Sequence, residues 1–84
     1  MNPRSLGPVP FTVLMAMARL DCTATAAEII AGTAAATDAE KGYAKMALAA
    51  LVNRGLAECG SFGGDKYGYR LTGLGRDCAR EAAL

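Results

Sequence analysis

The stretch LVNRGLAECGSFGGDKYGYRLTGLGRD, Leu51 to Asp77, changes its sequence pattern several times. Gly55 follows an apolar helical pattern and is suited to end a helix, because glycine adopts the left-handed conformation without strain. The segments LAECGS and KYGYRLT then have the composition of short strands, and FGGD between them suits a hairpin loop. Thr72 can cap a further helix. The stretch therefore predicts the order helix, hairpin, helix.

Two helix-start signals precede this stretch, at Thr25-Ala-Ala-Glu28 and Thr37-Asp-Ala-Glu40. Each fits a capping box, in which the threonine hydroxyl accepts from a free backbone N–H and the glutamate reaches back to the cap. The first helix must be short, with Gly32 as its stop. The second is predicted from Asp38 to Arg54.

The segment PFTVLMAMARL, from Pro10 to Leu20, predicts a helix that is apolar almost all round, with only Thr12 and Arg19 polar. Such a helix in a chain of 84 residues needs cover from two sides. We expect that cover from a second copy, in a homodimer. Residues 1–8 have the composition of a flexible N-terminal arm, and residues 9–84 are predicted to form one domain.

The predicted fold is α+β and mostly helical, with a three-helix core, a two-stranded β-hairpin and a C-terminal helix. Three apolar stripes are expected to bury its core: Ala44, Leu48 and Leu51 on the third helix, Tyr67, Tyr69 and Leu71 on the second strand, and Leu74, Cys78 and Ala82 on the last helix.

Two motifs make this order specific. The pattern Leu-x-x-Leu-x-x-x-Gly-Leu is formed by Leu48, Leu51, Gly55 and Leu56, and the pattern Tyr-x-Leu-Thr-x-x-Gly by Tyr69, Leu71, Thr72 and Gly75. With the glycine-rich segment between them, they resemble the winged helix-turn-helix transcription regulators of the MarR, PadR and ArsR type. The resemblance covers residues 10–80. It is stronger evidence for the fold than for the function.

The resemblance implies a DNA-binding regulator, acting as a repressor, whose third helix enters the major groove and whose hairpin forms the wing. Carried onto this chain, it gives the following candidate DNA-binding residues: Thr37, Lys41, Gly42, Tyr43, Lys45, Met46, Lys66 and Arg70. The chain departs from the expected pattern here, because bidentate reading of bases usually uses Arg, Asn or Gln. The third helix carries no arginine before Arg54.

The formal net charge of +1 gives no strong electrostatic signature of a nucleic-acid binder. If Lys41, Lys45, Arg54, Lys66 and Arg70 all met phosphates, log affinity would fall against log salt with a slope of about −4.5 per subunit. A single domain would then bind weakly, so we expect a dimer on double-stranded DNA.

The alternative keeps the fold and changes the target. Tyr43 and Met46 give the third helix an apolar face, which suits a protein partner as well as a phosphate or a thymine methyl group. On this interpretation the chain is a winged-helix interaction module, such as a small phage- or plasmid-type adaptor or an inhibitor of a host protein complex.

Several classes of function are not expected from the sequence. Histidine is absent, and no nucleophile elbow, phosphate loop or paired-carboxylate motif is present, so we expect neither an enzyme nor a cofactor. Cys22, Cys59 and Cys78 have neither disulfide nor zinc spacing, and we expect them to be small buried side chains in a cytoplasmic protein. No apolar run reaches the ~20 residues needed to span a bilayer, and Pro8, Pro10 and Arg19 argue against a secretory signal.

Overall fold

The computed structural model describes residues 6–20, 23–61 and 67–83. Its elements are α1 (Pro8–Leu20), α2 (Ala26–Ala31), α3 (Asp38–Asn53), β1 (Ala57–Gly60), β2 (Gly68–Leu71) and α4 (Gly73–Ala83). The predicted element order is confirmed, and the fold is α+β and mostly helical. Helix α1 begins at Pro8, two residues before its predicted start, and Leu6 ahead of it is buried.

Both capping boxes form as predicted. The Thr25 hydroxyl accepts from the Glu28 backbone N–H at 3.3 Å, and the Thr25 N–H donates to the Glu28 carboxylate at 3.2 Å. Thr37 and Glu40 repeat the arrangement at 3.1 and 3.2 Å. These contacts satisfy N–H groups that have no partner within the helix, and so they fix where α2 and α3 begin.

Helix α1 lies at the centre of the molecule and contacts α2, α3, α4 and β2. The fully buried large side chains come from four parts of the chain: Val13, Leu14, Ile29, Leu51 and Leu56. The chain's own elements therefore cover much of the apolar surface of α1, while Val9 and Leu20 stay 40% and 39% exposed. The homodimer that was expected to complete this cover stays a prediction.

Strands β1 and β2 form an antiparallel hairpin, in which Ala57 pairs with Leu71 and Gly60 with Gly68. The intervening loop, including Phe62 and Lys66, lies outside the described residues. A feature that the sequence did not reveal is the pairing of Ala24, just before α2, with Tyr69. Their backbones exchange two hydrogen bonds of 3.0 and 2.8 Å. Ala24 thus adds a one-residue β-bridge to the edge of the hairpin.

The two sequence motifs meet at one corner, where α3, the hairpin and α4 join. Gly55 takes a φ of +77°, which turns the chain out of α3. The Thr72 hydroxyl donates to the Gly55 carbonyl at 2.6 Å and accepts from the Gly75 N–H at 3.1 Å. The Thr72 N–H donates to the Leu56 carbonyl at 3.1 Å. Thr72 therefore caps α4, as predicted, and also ties it to the end of α3.

Three predictions of burial were wrong. Tyr67, at the start of its strand's stripe, is 59% exposed. Leu74 is 49% exposed, and α4 instead turns Gly75, Cys78 and Ala79 inward. The reason is the close approach of Gly75 to the Leu56 backbone, which sets the rotation of α4. Cys59 is exposed on the hairpin, whereas Cys78 is buried as expected, and burial raises the pKa of the Cys78 thiol. Cys22 lies outside the described residues.

Ala34, in the turn between α2 and α3, has a left-handed φ of +62°. This conformation costs a non-glycine residue about 1–2 kcal/mol, a cost that glycine does not have. Glycine loses more chain entropy on folding, which offsets part of this gain. We expect Ala34→Gly to raise the free energy of unfolding by about 0.5–1 kcal/mol, measured by urea denaturation. The matched control, Ala49→Gly on the exposed side of α3, should lower it by about 1 kcal/mol. Equal losses in both variants would contradict this account of the turn.

Candidate functional site

Helix α3 has one face in the core and one face in solvent. Its buried side chains are Ala44, Ala47, Leu48 and Leu51. The opposite side exposes a ridge at helical spacing: Asp38, Gly42, Lys45, Ala49 and Asn53. This ridge, which we call the α3 face, is an extended helical surface available for a partner.

A shallow groove of about 700 Å³ runs beside the α3 face, between α2 and α3. Its α3 side carries Lys41, Gly42 and Lys45, three of the residues predicted for DNA contact. Small side chains from α2 and the following turn form much of the rest of its lining: Ala27, Ala31 and Ala35. The groove therefore offers two cations beside a surface on which another molecule's backbone could come close.

Gly42 accounts for part of this openness. A Cβ built on Gly42 would meet nothing within 4 Å, so no packing within the described chain requires a glycine there. A glycine inside a helix costs about 1 kcal/mol relative to alanine. Gly42 therefore lowers the stability of the helix without serving any packing contact among the described residues.

The electrostatics of the groove are mixed. Lys41 and Lys45 are both exposed, one turn of helix apart, but Asp38 also lines the groove. Glu40 is held by the capping box through Thr37, which directs its carboxylate to the helix start. The electrostatic potential of the groove is therefore only mildly positive. Any contact to the phosphates of a nucleic acid would depend on the side chains of the two lysines.

Tyr43 and Met46 lie one turn apart on α3, with exposed fractions of 61% and 70%. Tyr43 does not line the α2–α3 groove. It borders a separate cleft of about 220 Å³ against the start of α1, together with Val9 and Thr12. The predicted site residues of α3 are therefore divided between two neighbouring surfaces.

The remaining predicted site residues are placed differently. The Thr37 hydroxyl is engaged with Glu40 in the capping box. The Arg70 Nε donates to its cross-strand neighbour Glu58 at 2.6 Å, on the outer side of the hairpin, and Arg70 does not line the α2–α3 groove. Lys66 lies outside the described residues. Of the predicted site residues that the structure describes, Lys41, Gly42 and Lys45 are brought together in one groove.

The hairpin carries a polar contact of its own. The Tyr67 hydroxyl donates to the Cys59 sulfur at 3.0 Å, and this hydrogen bond raises the pKa of Tyr67. The Tyr67 and Tyr69 rings pack edge to face, with centroids 6.0 Å apart. These contacts orient the two aromatic side chains next to the Ala24 bridge.

Neither a metal cluster nor a membrane-crossing helix is found among the described residues. Within residues 6–20, 23–61 and 67–83, no three His, Cys, Asp or Glu side chains stand close enough together to hold a metal ion. Among the elements α1 to α4, none combines the length and the apolar character that crossing a bilayer requires.

The sequence did not identify the alanines of the groove or the far end of the α3 face. Ala49 and Asn53 could have been found by continuing the helical spacing from Gly42 and Lys45. Ala27 and Ala31 carry no chemical signal, and their place in the groove depends on how α2 packs on α3.

Comparisons of the chain with protein-family models, with curated proteins and with solved structures give no match.

Proposed function

We propose that the chain is a winged helix-turn-helix protein that binds double-stranded DNA and regulates transcription, acting as a repressor. Helix α3 would enter the major groove, and the hairpin of β1 and β2 would lie against the DNA backbone as the wing. The observation that carries the proposal is the α3 face, an uncovered helical ridge beside a groove that contains Lys41, Gly42 and Lys45.

The arrangement of the other elements supports this proposal. Helix α2 and α3 are joined by a short turn, and the hairpin follows α3 directly. The Ala24 bridge to Tyr69 connects the start of α2 to the hairpin. As a result, hydrogen bonds fix the hairpin against the start of the helix pair. This suits two elements that contact the same DNA duplex.

The distribution of charge favours binding as a homodimer. Two lysines at the groove provide a slope of only about −1.8 in log affinity against log salt. Arg70 is ion-paired with Glu58, so the hairpin offers less positive charge to phosphates than its sequence indicates. Two copies on a two-fold DNA site would double the number of phosphate contacts and bring the affinity into the range of a regulator.

Gly42→Ala tests the placement of α3. Because the space at Gly42 is open, alanine should raise the stability by up to about 1 kcal/mol. It should also weaken DNA binding about tenfold, since a methyl group would keep the duplex from the helix backbone. Fluorescence anisotropy with a labelled duplex at low salt measures the affinity, and urea denaturation measures the stability. Duplex from the chain's own promoter region is the probe.

The matched control for this test is Gly73→Ala in α4, another helical glycine with open space around it. It should leave the DNA affinity unchanged. A wild-type chain that fails to bind the duplex would overturn the proposed function. A more stable Gly42→Ala variant with unchanged affinity would instead overturn the contact at Gly42.

A second candidate function is favoured by one observation, the high exposure of Tyr43 and Met46. Two large apolar side chains one turn apart form the kind of anchor that a helix presents to a groove in another protein. We propose, as the alternative, that this pair binds a protein and that the chain is an adaptor or an inhibitor of a larger complex.

Tyr43→Ser combined with Met46→Ser separates the two candidates. Neither side chain is buried, so the fold should persist. If the protein-binding function holds, affinity for a purified partner should fall at least 100-fold, as expected when two hot-spot side chains are lost. Calorimetry measures this affinity. The control is Tyr67→Ser with Leu74→Ser, two side chains off α3 that are 59% and 49% exposed. Partner binding that survives the α3 double variant excludes the surface.

A further inference from the structure

A further cleft, of about 510 Å³, lies between α1 and α4 and shares no lining residue with the α2–α3 groove or with the cleft beside Tyr43. Its apolar lining consists of Met15, Ala18, Leu71 and Ala79. Its volume falls within the range of about 300–1,000 Å³ that is typical of small-molecule sites. The cleft is therefore large enough for a compact organic ligand that rests on an apolar floor.

Three exposed arginines, Arg19, Arg76 and Arg80, complete the lining, and none of its described residues is acidic. The Arg19 Nη2 donates to the Gly32 carbonyl at 3.0 Å, which fixes this side chain at the end of α1. Arg80 pairs with Asp77 at 3.2 Å in an exposed contact of small energy. The cleft thus combines an apolar floor with an excess of positive charge.

Arg76 is the cation on which a ligand site here depends. Its guanidinium has no hydrogen-bond or ion-pair partner within residues 6–20, 23–61 and 67–83. A guanidinium offers five N–H donors in a planar fork that matches a carboxylate. Arg76 therefore has its whole donor set available beside the apolar lining.

We propose that this cleft binds a small amphipathic carboxylate, a medium-chain fatty acid. The apolar body would lie on Met15, Ala18 and Leu71, and the carboxylate would accept hydrogen bonds from Arg76. The charge complementarity of the lining selects an anion over a neutral molecule of the same shape. This site goes beyond DNA binding and does not depend on it.

Calorimetric titration of the full chain with decanoate, decanol and acetate tests the proposal, with decanoate kept below its micelle-forming concentration. Decanoate should bind at one saturable site. Decanol should bind about tenfold more weakly because it lacks the charge, and acetate should show no binding because it lacks the apolar body. Equal affinities for decanoate and decanol would overturn the proposed role of the arginines.

Arg76→Gln should weaken decanoate binding about tenfold and leave decanol binding unchanged. The matched control is Arg54→Gln, an exposed arginine at the end of α3, which should retain wild-type affinity. Ala18→Leu fills the cleft without altering any charge and should weaken decanoate and decanol alike. Circular dichroism verifies that each variant is folded.

Unchanged decanoate affinity in Arg76→Gln or in Ala18→Leu would overturn the site. Sedimentation velocity of the ligand-free chain gives a further test. If the wild-type chain is a dimer and Arg76→Gln dissociates it, a second copy occupies the cleft and the proposed site is overturned. Amide chemical-shift changes confined to residues around Ala79 would support the site, and changes confined to the α3 face would contradict it.

Discussion

Gly75→Ala should unfold a large part of the protein population, or lower the free energy of unfolding by about 3 kcal/mol or more. A Cβ at this position would overlap the carbonyl oxygen of Leu56 and lie 2.9 Å from its carbonyl carbon. These are backbone atoms at the corner where α3, the hairpin and α4 join, so no side-chain rotation can relieve the overlap. Relief requires α4 to move outward.

That movement would break a group of contacts at once. The Leu56 carbonyl that the new methyl group displaces also accepts from the Thr72 N–H, and the Thr72 hydroxyl caps α4. Each lost hydrogen bond costs about 1 kcal/mol, in addition to about 1–3 kcal/mol for overpacking. For a chain of 84 residues, whose expected stability is only about 4–12 kcal/mol, this is a severe loss.

Thermal and urea denaturation measure this effect, and a 3 kcal/mol loss corresponds to a fall in Tm of roughly 12–24 °C. Gly73→Ala is a matched control in the same helix. A Cβ there meets nothing within 4 Å, so its stability should change by less than about 1 kcal/mol and in the favourable direction. If the two variants were equally stable, the close approach of α4 to Leu56 would be wrong.

The corner at Gly75 also shows which parts of the fold could be predicted from the sequence. The helix starts at Thr25 and Thr37 and the turn at Gly55 were predicted correctly, because each signal depends on residues close together in the chain. The rotation of α4 was not, because the local sequence does not indicate whether Leu74 or Gly75 faces the core. Which of the two faces inward is decided by the distant backbone of Leu56.

Long-range contacts likewise explain the other differences. The bridge between Ala24 and Tyr69 joins segments separated by about half of the chain, and no local pattern at Ala24 indicates a strand. The cover of α1 is a related case. The sequence shows that α1 is apolar on almost all sides but not how many of the chain's own elements pack around it.

The candidate site was predictable to the extent that it follows helical periodicity. The positions of Lys41, Gly42 and Lys45 in one groove follow from their spacing on α3. The ion pair between Arg70 and Glu58 depends instead on the strand register, which the sequence alone does not specify. The balance of charge at the site could therefore be assessed only from the folded chain.

Lys41→Glu combined with Lys45→Glu should reduce affinity for duplex DNA by at least about 100-fold at low salt, if the proposed function holds. Each lysine that meets a phosphate adds about 0.9 to the slope of log affinity against log salt, so the variant should lose about 1.8 of the slope. Reversal of the charge adds repulsion between the new carboxylates and the phosphates. Both side chains are exposed, and the fold should be unaffected.

The change in overall charge needs its own control, because the double variant moves the formal net charge from +1 to −3. Arg76→Glu with Arg80→Glu makes the same change at the α1–α4 cleft, away from the α2–α3 groove. That control should lose only the general electrostatic attraction, with its salt slope within about 0.5 of the wild-type value. Anisotropy titrations between 50 and 200 mM salt measure both slopes, the range over which phosphate contacts have their largest effect.

The comparison of the two pairs decides where DNA binds. If DNA lies against α3, the lysine pair loses both affinity and slope, whereas the arginine pair keeps its slope. Equal losses in both pairs would mean that the duplex responds to net charge and not to α3, and the proposed placement would fail. If duplex binding is weak in every variant while Tyr43→Ser with Met46→Ser removes a protein partner, the exposed apolar pair, and not the lysines, defines the functional surface of α3.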